Sequence, residues 1–472
     1  MADLVPMTPE WWLERLHGRM VARRPHVERM WRYYDGEHPL AFASQKFLEA
    51  FGGLFSAFSD NWCGMIVDAV EERLNVEGFR LGDDPTGDAE AWRIWQANGL
   101  DAESQLAHTE ALVAGESCAT VWYGSDLTTP VVTVEPALNA IVETSPANRR
   151  VRTAGLRTYL DEWGVLHAEL FLPDRVWLFR AEAKQLDGVK PRWKPDAEAV
   201  GGSAVEDGAG AWMPNPLGVV PMVPMTNRPR LSRHRRDVAA QSEIAGVIPV
   251  QDALNKVIAD IMVNSEHQAM PQRYMLGLEE LPTDPSTGQP YNPYTPERRM
   301  WLGEGDMSTA KIGQFDAGDV GNLTKVVDML VLHVASQTRT PPHYLNGSAD
   351  RLSGESIKAA ETGLVAKCRR KQRHFGEGWE EVIRLGLRVI GDPRADVNDS
   401  EVIWGDPESR TESEHVDALV KKQALGVPNQ QLQEDAGYTP QQIARFAAMR
   451  AQDALEARLS GPVVPAQPLS GG

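Results

Sequence analysis

A chain of 472 residues is long enough to bury a sizeable core and to build two to four domains or one elongated, multi-part subunit. With 42% hydrophobic and 24% charged residues it reads as soluble, and the absence of any run of about 18 apolar residues excludes a membrane helix. The formal charge of −18 discourages a nucleic-acid hypothesis without excluding contact: a surface that lets DNA pass should be repulsive or neutral and a binding groove basic, and composition does not choose between them.

The start, Met1-Ala-Asp-Leu-Val-Pro, lacks the charged and apolar blocks of a signal peptide, so synthesis inside a cell is expected. Thr8-Pro-Glu-Trp-Trp-Leu then opens a helical region, with Thr8 as cap and Pro9 in the first turn. Trp62, Met65, Ile66, Ala69, Val70 and Leu74 predict one apolar helix face near residues 61–74, and Trp92 with Trp95 marks another helix. From Ala119 to Arg180 the pattern changes to short β-rich runs, Val121-Trp-Tyr, Val131-Val-Thr-Val, Leu166-His-Ala-Glu-Leu-Phe and Val176-Trp-Leu-Phe, which predicts an α+β domain. The prolines of Asn215-Pro-Leu-Gly-Val-Val-Pro-Met-Val-Pro predict an extended edge or a crossover rather than a central strand.

Helical spacing returns at Val247, Val250, Leu254, Val257, Ile258 and Ile261, with Pro249 either in the first turn or kinking a helix that begins near Asp237. Residues 271–319 read as a compact insertion with β-like pieces at Gln272-Arg-Tyr-Met-Leu and Arg299-Met-Trp-Leu. A second helix is expected from about Val320 to Gln337, on the stripe Leu323, Val326, Val327, Leu330, Val331 and Val334. Then comes a loop rich in breakers, Thr340-Pro-Pro-His-Tyr-Leu-Asn-Gly, followed by Ser353-Gly-Glu-Ser-Ile-Lys, where Ser353 caps and Glu355 complements a new helix. That helix carries Ile357, Leu364, Val365, Cys368, Phe375, Trp379, Val382, Ile383 and Ile390 over about 36 residues, roughly 54 Å, with bends predicted at Gly376 and Gly378. An acidic stretch from Asp396 to Glu414 leads to short helices at 414–425 and 439–459 and a Pro/Gly/Ser tail expected to be disordered.

The chemistry-bearing motifs are absent. No GxxxxGK, GxGxxG, GxSxG or HExxH occurs, the histidines are dispersed, and Cys63, Cys118 and Cys368 are scattered without metal or disulfide spacing. No cofactor, metal or catalytic residue is predicted. Two basic clusters stand out: Arg228, Arg230, Arg233, Arg235 and Arg236, and Lys367, Arg369, Arg370, Lys371 and Arg373. Each is either a solvated or salt-bridged face or a set of phosphate or subunit contacts.

The order of these elements, with Tyr33-Tyr-Asp-Gly-Glu-His-Pro-Leu, Asn61-Trp-Cys-Gly-Met-Ile-Val-Asp-Ala-Val-Glu-Glu-Arg-Leu, Asn215-Pro-Leu-Gly-Val-Val-Pro and the 340–358 loop and helix start, resembles the portal protein of tailed double-stranded DNA bacteriophages. The resemblance implies a mixed α+β, mainly helical portal fold that assembles into a ring with a central channel. Its parts would be a wing (1–237), stem helix 1 (238–268), clip (269–319), stem helix 2 (320–338), tunnel loop (339–354), long wing helix (355–395) and crown with C-terminal tail (396–472). It further implies a structural, non-enzymatic homo-oligomer, usually a dodecamer, located in the virion at a capsid vertex and in the host cytoplasm during assembly. Its partners would be duplex DNA, the terminase large subunit, the major capsid protein and scaffold, and a head-tail adaptor, with no membrane. By the same resemblance His343, Tyr344, Asn346, Asp350 and Arg351 face the passing DNA. The competing classes are a metal-dependent nucleic-acid-processing enzyme and another minor capsid or head-assembly protein.

Overall fold

The computed structural model describes residues 5–45, 49, 60–82, 87–126, 128–181, 191–199, 210–231, 238–269, 273–276, 283, 288–289, 311–314, 320–346, 354–408 and 412–459. The chain forms two units, one of Met1–Asp35, Trp62–Gly246 and Thr338–Gly472, the other of Gly36–Asn61 and Val247–Gln337.

In the first unit Thr8 caps helix α1 (Pro9–Tyr34) by accepting from Trp11 N, with Pro9 in the first turn. Helix α2 (Trp62–Glu71) buries Trp62, Cys63, Ile66, Val67, Ala69 and Val70. Met65, placed on that face by its spacing, is instead 37% exposed, and Cys63 and Val67 take the inner positions. Strand β1 (Val76–Arg80) precedes helices α3 (Ala89–Ala97), capped by Asp88, and α4 (Leu100–Ala114). Then come strands β2 (Glu116–Tyr123), β3 (Pro130–Glu135), β4 (Ala140–Thr144), β5 (Arg152–Leu160), β6 (Leu166–Phe171), β7 (Arg175–Ala181), β8 (Trp193–Pro195), β9 (Trp212–Pro214) and β10 (Met222–Thr226).

These strands make two sheets. One runs β4-β5-β6-β7-β8, with β9 also on β7, and the other runs β10-β2-β3. Period-2 alternation gives the larger sheet two apolar faces. Ile141, Leu156, Leu170, Trp177 and Phe179 pack under Trp12, Leu13, Leu16 and Met20 of α1, while Phe171, Val176 and Leu178 meet Cys118 and Met222 of the smaller sheet and Val220 just before β10. Strand β10 lies at an edge, so Pro224, opposite Cys118, removes no ladder bond from a sheet interior. A short pair, β11 (Arg230–Leu231) and β12 (Val238–Ala239), occupies the place where an early start of the next helix was one of the two sequence readings.

The second unit holds helix α5 (Ile248–Ala269), the antiparallel pair β13 (Arg273–Leu276) and β14 (Lys311–Gln314), and helix α6 (Val320–Thr338). Pro249 therefore sits in the first turn of α5, where its missing N–H is harmless. On α5, Asn255 accepts from Asp60 N at 3.2 Å and bonds His38 Nδ1 at 2.9 Å. Val331, Val334 and Ala335 are buried on α6, whereas Met329 and Leu332 are 49% and 56% exposed. The β-like run at Arg299 lies outside the described residues.

Back in the first unit, the short helix α7 (Pro342–Asn346) leads to α8 (Gly354–Val389), 36 residues long, whose Leu364, Cys368, Phe375, Trp379, Val382 and Ile383 are buried. The helix continues through Gly376 and Gly378. A Cβ at Gly378 would collide with the Met225 side chain, and one at Gly376 would press on the Trp404 indole at 3.3 Å, so both glycines allow strands to approach the helix closely. Ser353 lies outside the described residues. Strand β15 (Glu401–Trp404) returns to pair antiparallel with β1, so part of the acidic stretch is a sheet edge. Helices α9 (Glu412–Ala424), α10 (Asn429–Asp435) and α11 (Pro440–Leu459) follow. The fold is mixed and 51% helical, so the mainly helical α+β class holds.

Candidate functional site

The segment between α6 and α8 starts at the C-terminus of α6. Thr338 ends α6, and Arg339 turns the chain with φ +58°, a left-handed conformation uncommon outside glycine. The turn is held by side chains: Thr338 Oγ1 lies 3.0 Å from Thr340 Oγ1 and accepts from Thr340 N at 3.3 Å, and both threonines are buried. Lys367 Nζ on α8 donates to the Thr338 carbonyl at 2.7 Å, which places a cation at the negative end of the helix dipole.

Four residues further on, Tyr344 is fixed at the base of the loop. Its hydroxyl donates to Glu361 Oε1 and accepts from Arg73 Nη2, both at 2.7 Å, and the Arg73 guanidinium lies 5.7 Å from its ring centroid. Burial, followed by the bond to Glu361, raises the Tyr344 pKa. His343 packs edge-on against the Tyr344 ring, and both His343 and Leu345 are buried. Of the residues expected in this loop, the structure thus puts His343 and Tyr344 against the body of the first unit. Asp350, Arg351 and the side chain of Asn346 lie outside the described residues.

The second basic cluster divides by helix face. Arg370 and Arg373 are exposed, and Arg369 reaches Asp406 and Glu408 at 3.6 Å each. Lys367 and Lys371 turn inward, Lys371 meeting Glu243 Oε2 at 2.6 Å and Lys367 meeting Glu243 Oε1 at 3.3 Å. Burial works against the Glu243 carboxylate, but the two ammonium groups outweigh it and hold its pKa well below the ordinary range. Burial also brings the Lys371 pKa down to about 8, with Glu243 partly opposing that shift. In the first cluster Arg228 is half-buried at φ +45° and adds to the field on Glu243, while Arg230 is exposed on β11. Arg233, Arg235 and Arg236 lie outside the described residues.

The residues that the motif scan passed over are Arg73, Asn227, Glu243 and Glu361. A signal did exist for Lys371, the partner of Asn227 and Glu243. Lys371 falls in register with Leu364, Cys368 and Phe375, and a lysine inside an apolar stripe implies a buried counter-charge.

A cavity of about 480 Å³ is lined by Trp122, Tyr159, Phe171 and charged groups that already hold one another. Arg157 meets Glu135 and Glu169 at 2.9 Å each, and His167 sits between Asp161 and Asp196 at 3.1 Å each. Among the described residues no group of three or more His, Cys, Asp or Glu is placed to hold a metal ion, and no helix is long and apolar enough to cross a membrane.

Comparison with known proteins bears directly on this arrangement. Residues 13–454 match the family model described as phage portal protein, SPP1 Gp6-like. Portal proteins of Mycobacterium phage D29 and Mycobacterium phage L5 are each 34% identical over 427 residues, spanning 86% of this chain and 81% of theirs. A solved chain described as virion of native gene transfer agent (GTA) particle is similar at TM-score 0.39 and 11% identity, over 87% of this chain and 93% of that one.

Proposed function

From its membership of the SPP1 Gp6-like phage portal protein family, to which the chain belongs over residues 13–454, we propose how it works in the particle. It is a structural portal protein of the phage capsid vertex, serving DNA packaging. The finer reading is a closed ring, a dodecamer by family habit, with a central channel through which duplex DNA enters and leaves. Cyclic symmetry gives partly exposed helix faces such as Met329 and Leu332 a neighbour to pack against. In this reading 1–237 is the wing, α5 and α6 are the stem, 269–319 is the clip, 339–354 is the tunnel loop, α8 is the wing helix, and the C-terminal helices form the crown.

The observation that carries the proposal is the family match over nearly the whole chain. The charge of −18 supports it, because a channel lining that must let DNA slide should not bind it tightly. The packaging motor would then be a separate terminase, and the capsid protein, scaffold and head-tail adaptor would dock on the ring, first in the host cytoplasm and then in the virion. With His343 and Tyr344 committed to the loop base, we assign DNA contact to residues 347–353, which include Asp350 and Arg351. Arg369, Arg370 and Arg373 remain candidates for phosphate or subunit contacts.

Replacing Ser348–Leu352 with a Gly-Ser linker should leave oligomer formation unchanged and sharply reduce DNA packaged per particle. Undiminished packaging by that variant would remove the loop from the mechanism.

A further inference from the structure

We propose that Lys367 is a positioning residue that latches the chain leaving α6 to the segment leading into α5, and so fixes where the loop between α6 and α8 begins. The proposal rests on the portal reading of that loop, but its geometry does not. One ammonium group touches both strands of the crossing: Lys367 Nζ donates to Thr338 O at 2.7 Å and lies 3.3 Å from Glu243 Oε1. Glu243 is itself immobilised. Its N–H donates to Leu112 O at 2.8 Å near the end of α4, and its other carboxylate oxygen binds Lys371 at 2.6 Å.

Asn227 completes the node. Its side-chain amide donates to Gln241 O at 2.8 Å and to Glu243 Oε2 at 3.3 Å, its carbonyl accepts from Gln241 N at 3.0 Å, and its N–H donates to Gly115 O at 2.8 Å. The segment that leads into α5 is therefore pinned to the core at Gly115 and Leu112. Lys367 joins the segment leaving α6 to the same node.

The local backbone shows why an anchor is needed. Arg339 is held at φ +58° by the residues around it, a conformation that persists only where neighbours over-determine it. The Thr338 carbonyl belongs to a helix end, whose last carbonyls have no intrahelical donor. Lys367 supplies the donor and the charge together. Six residues earlier on the same helix, Glu361 holds Tyr344. Helix α8 thus grips the start of the loop at two points, and Lys367 is the one that also reaches Glu243.

The test is hydrogen–deuterium exchange of the full-length chain in three forms: wild type, Lys367→Met and Lys367→Arg. Lys367→Met should speed exchange at 338–346 by roughly tenfold or more while the amides of β5–β7 keep their wild-type rates. Lys367→Arg, which can still donate to Thr338 O and pair with Glu243, should restore protection. Unchanged exchange at 338–346 in Lys367→Met would overturn the latch, and so would a uniform rise that includes β5–β7. If Lys367→Met does not fold, Lys371→Met decides, since Lys371 reaches Glu243 and Asn227 but not Thr338. It should loosen 227–243 and spare 338–346, and the reverse pattern would overturn the assignment. A wild-type chain that forms no ring would count against the portal reading alone, because the exchange comparison is equally decisive on the monomer.

Discussion

Replacing Glu243 with Gln is expected to lower the unfolding free energy by about 3–5 kcal/mol, among the largest effects of any single charge removal in this protein. The side chain is 4% exposed and is the shared counter-ion of Lys371, also 4% exposed, and Lys367, 10% exposed. An amide in its place could still accept a hydrogen bond, but it would leave two ammonium groups in the interior without a carboxylate. An ion pair held in water behaves differently: breaking Lys421–Asp417, with side chains 74% and 63% exposed, should cost about 1 kcal/mol or less. Urea denaturation of both variants makes the comparison at fixed pH. Equal, small losses would mean that the Glu243 node is hydrated and carries no more weight than a surface pair.

Trp379→Ala should cost about 3–5 kcal/mol for a different reason, namely a cavity in the core of α8. The indole is fully buried and meets Trp95 edge-on at 5.0 Å and His108 at 5.9 Å. Its Nε1 donates to His108 Nε2 at 2.9 Å, so truncation also removes the donor of a fully buried imidazole. Burial alone pushes the His108 pKa down to about 3, which keeps the ring neutral and able to accept that bond. Trp379→Phe retains most of the volume and loses the donor, so its loss should be clearly smaller. If the two variants lost stability equally, the hydrogen bond rather than the packing would dominate.

Much of the architecture was readable because the strongest sequence signals are periodic. The apolar positions from Leu364 to Ile383 could only line one face of a helix, and the runs at Val121, Val131, Leu166 and Val176 all occur in strands. The prolines of the 215–224 run pointed to an extended edge or a crossover rather than a central strand, and Pro224 lies in β10 at a sheet edge, where it disturbs no interior ladder. Periodicity failed at one position of α2, where Met65 is exposed although Trp62, Ile66, Ala69 and Val70 are buried as expected, and where a strand found its partner far away, as β15 found β1. The loop base was illegible for a related reason. Tyr344 is joined to Arg73, 271 residues earlier, and Lys371 to Glu243, 128 residues earlier, and no local pattern encodes pairs so distant in the chain.

These contacts change what the breaker-rich loop means. The portal resemblance turns His343, Tyr344, Asn346, Asp350 and Arg351 of this loop toward passing DNA. The structure instead spends the first part on anchorage, through Thr338, Thr340, Tyr344 and their partners on α2 and α8 or next to them. In the proposed portal reading, a loop that met moving DNA would need a base that does not move with it. The proposed contact region, 347–353, begins directly after that base.

Counting subunits in the purified full-length protein, by native mass spectrometry with negative-stain electron microscopy of the same sample, tests the central claim most directly. The portal account predicts closed rings of one subunit number, with a central hole wide enough for duplex DNA. A uniform monomer that forms no ring even beside scaffold protein would contradict it.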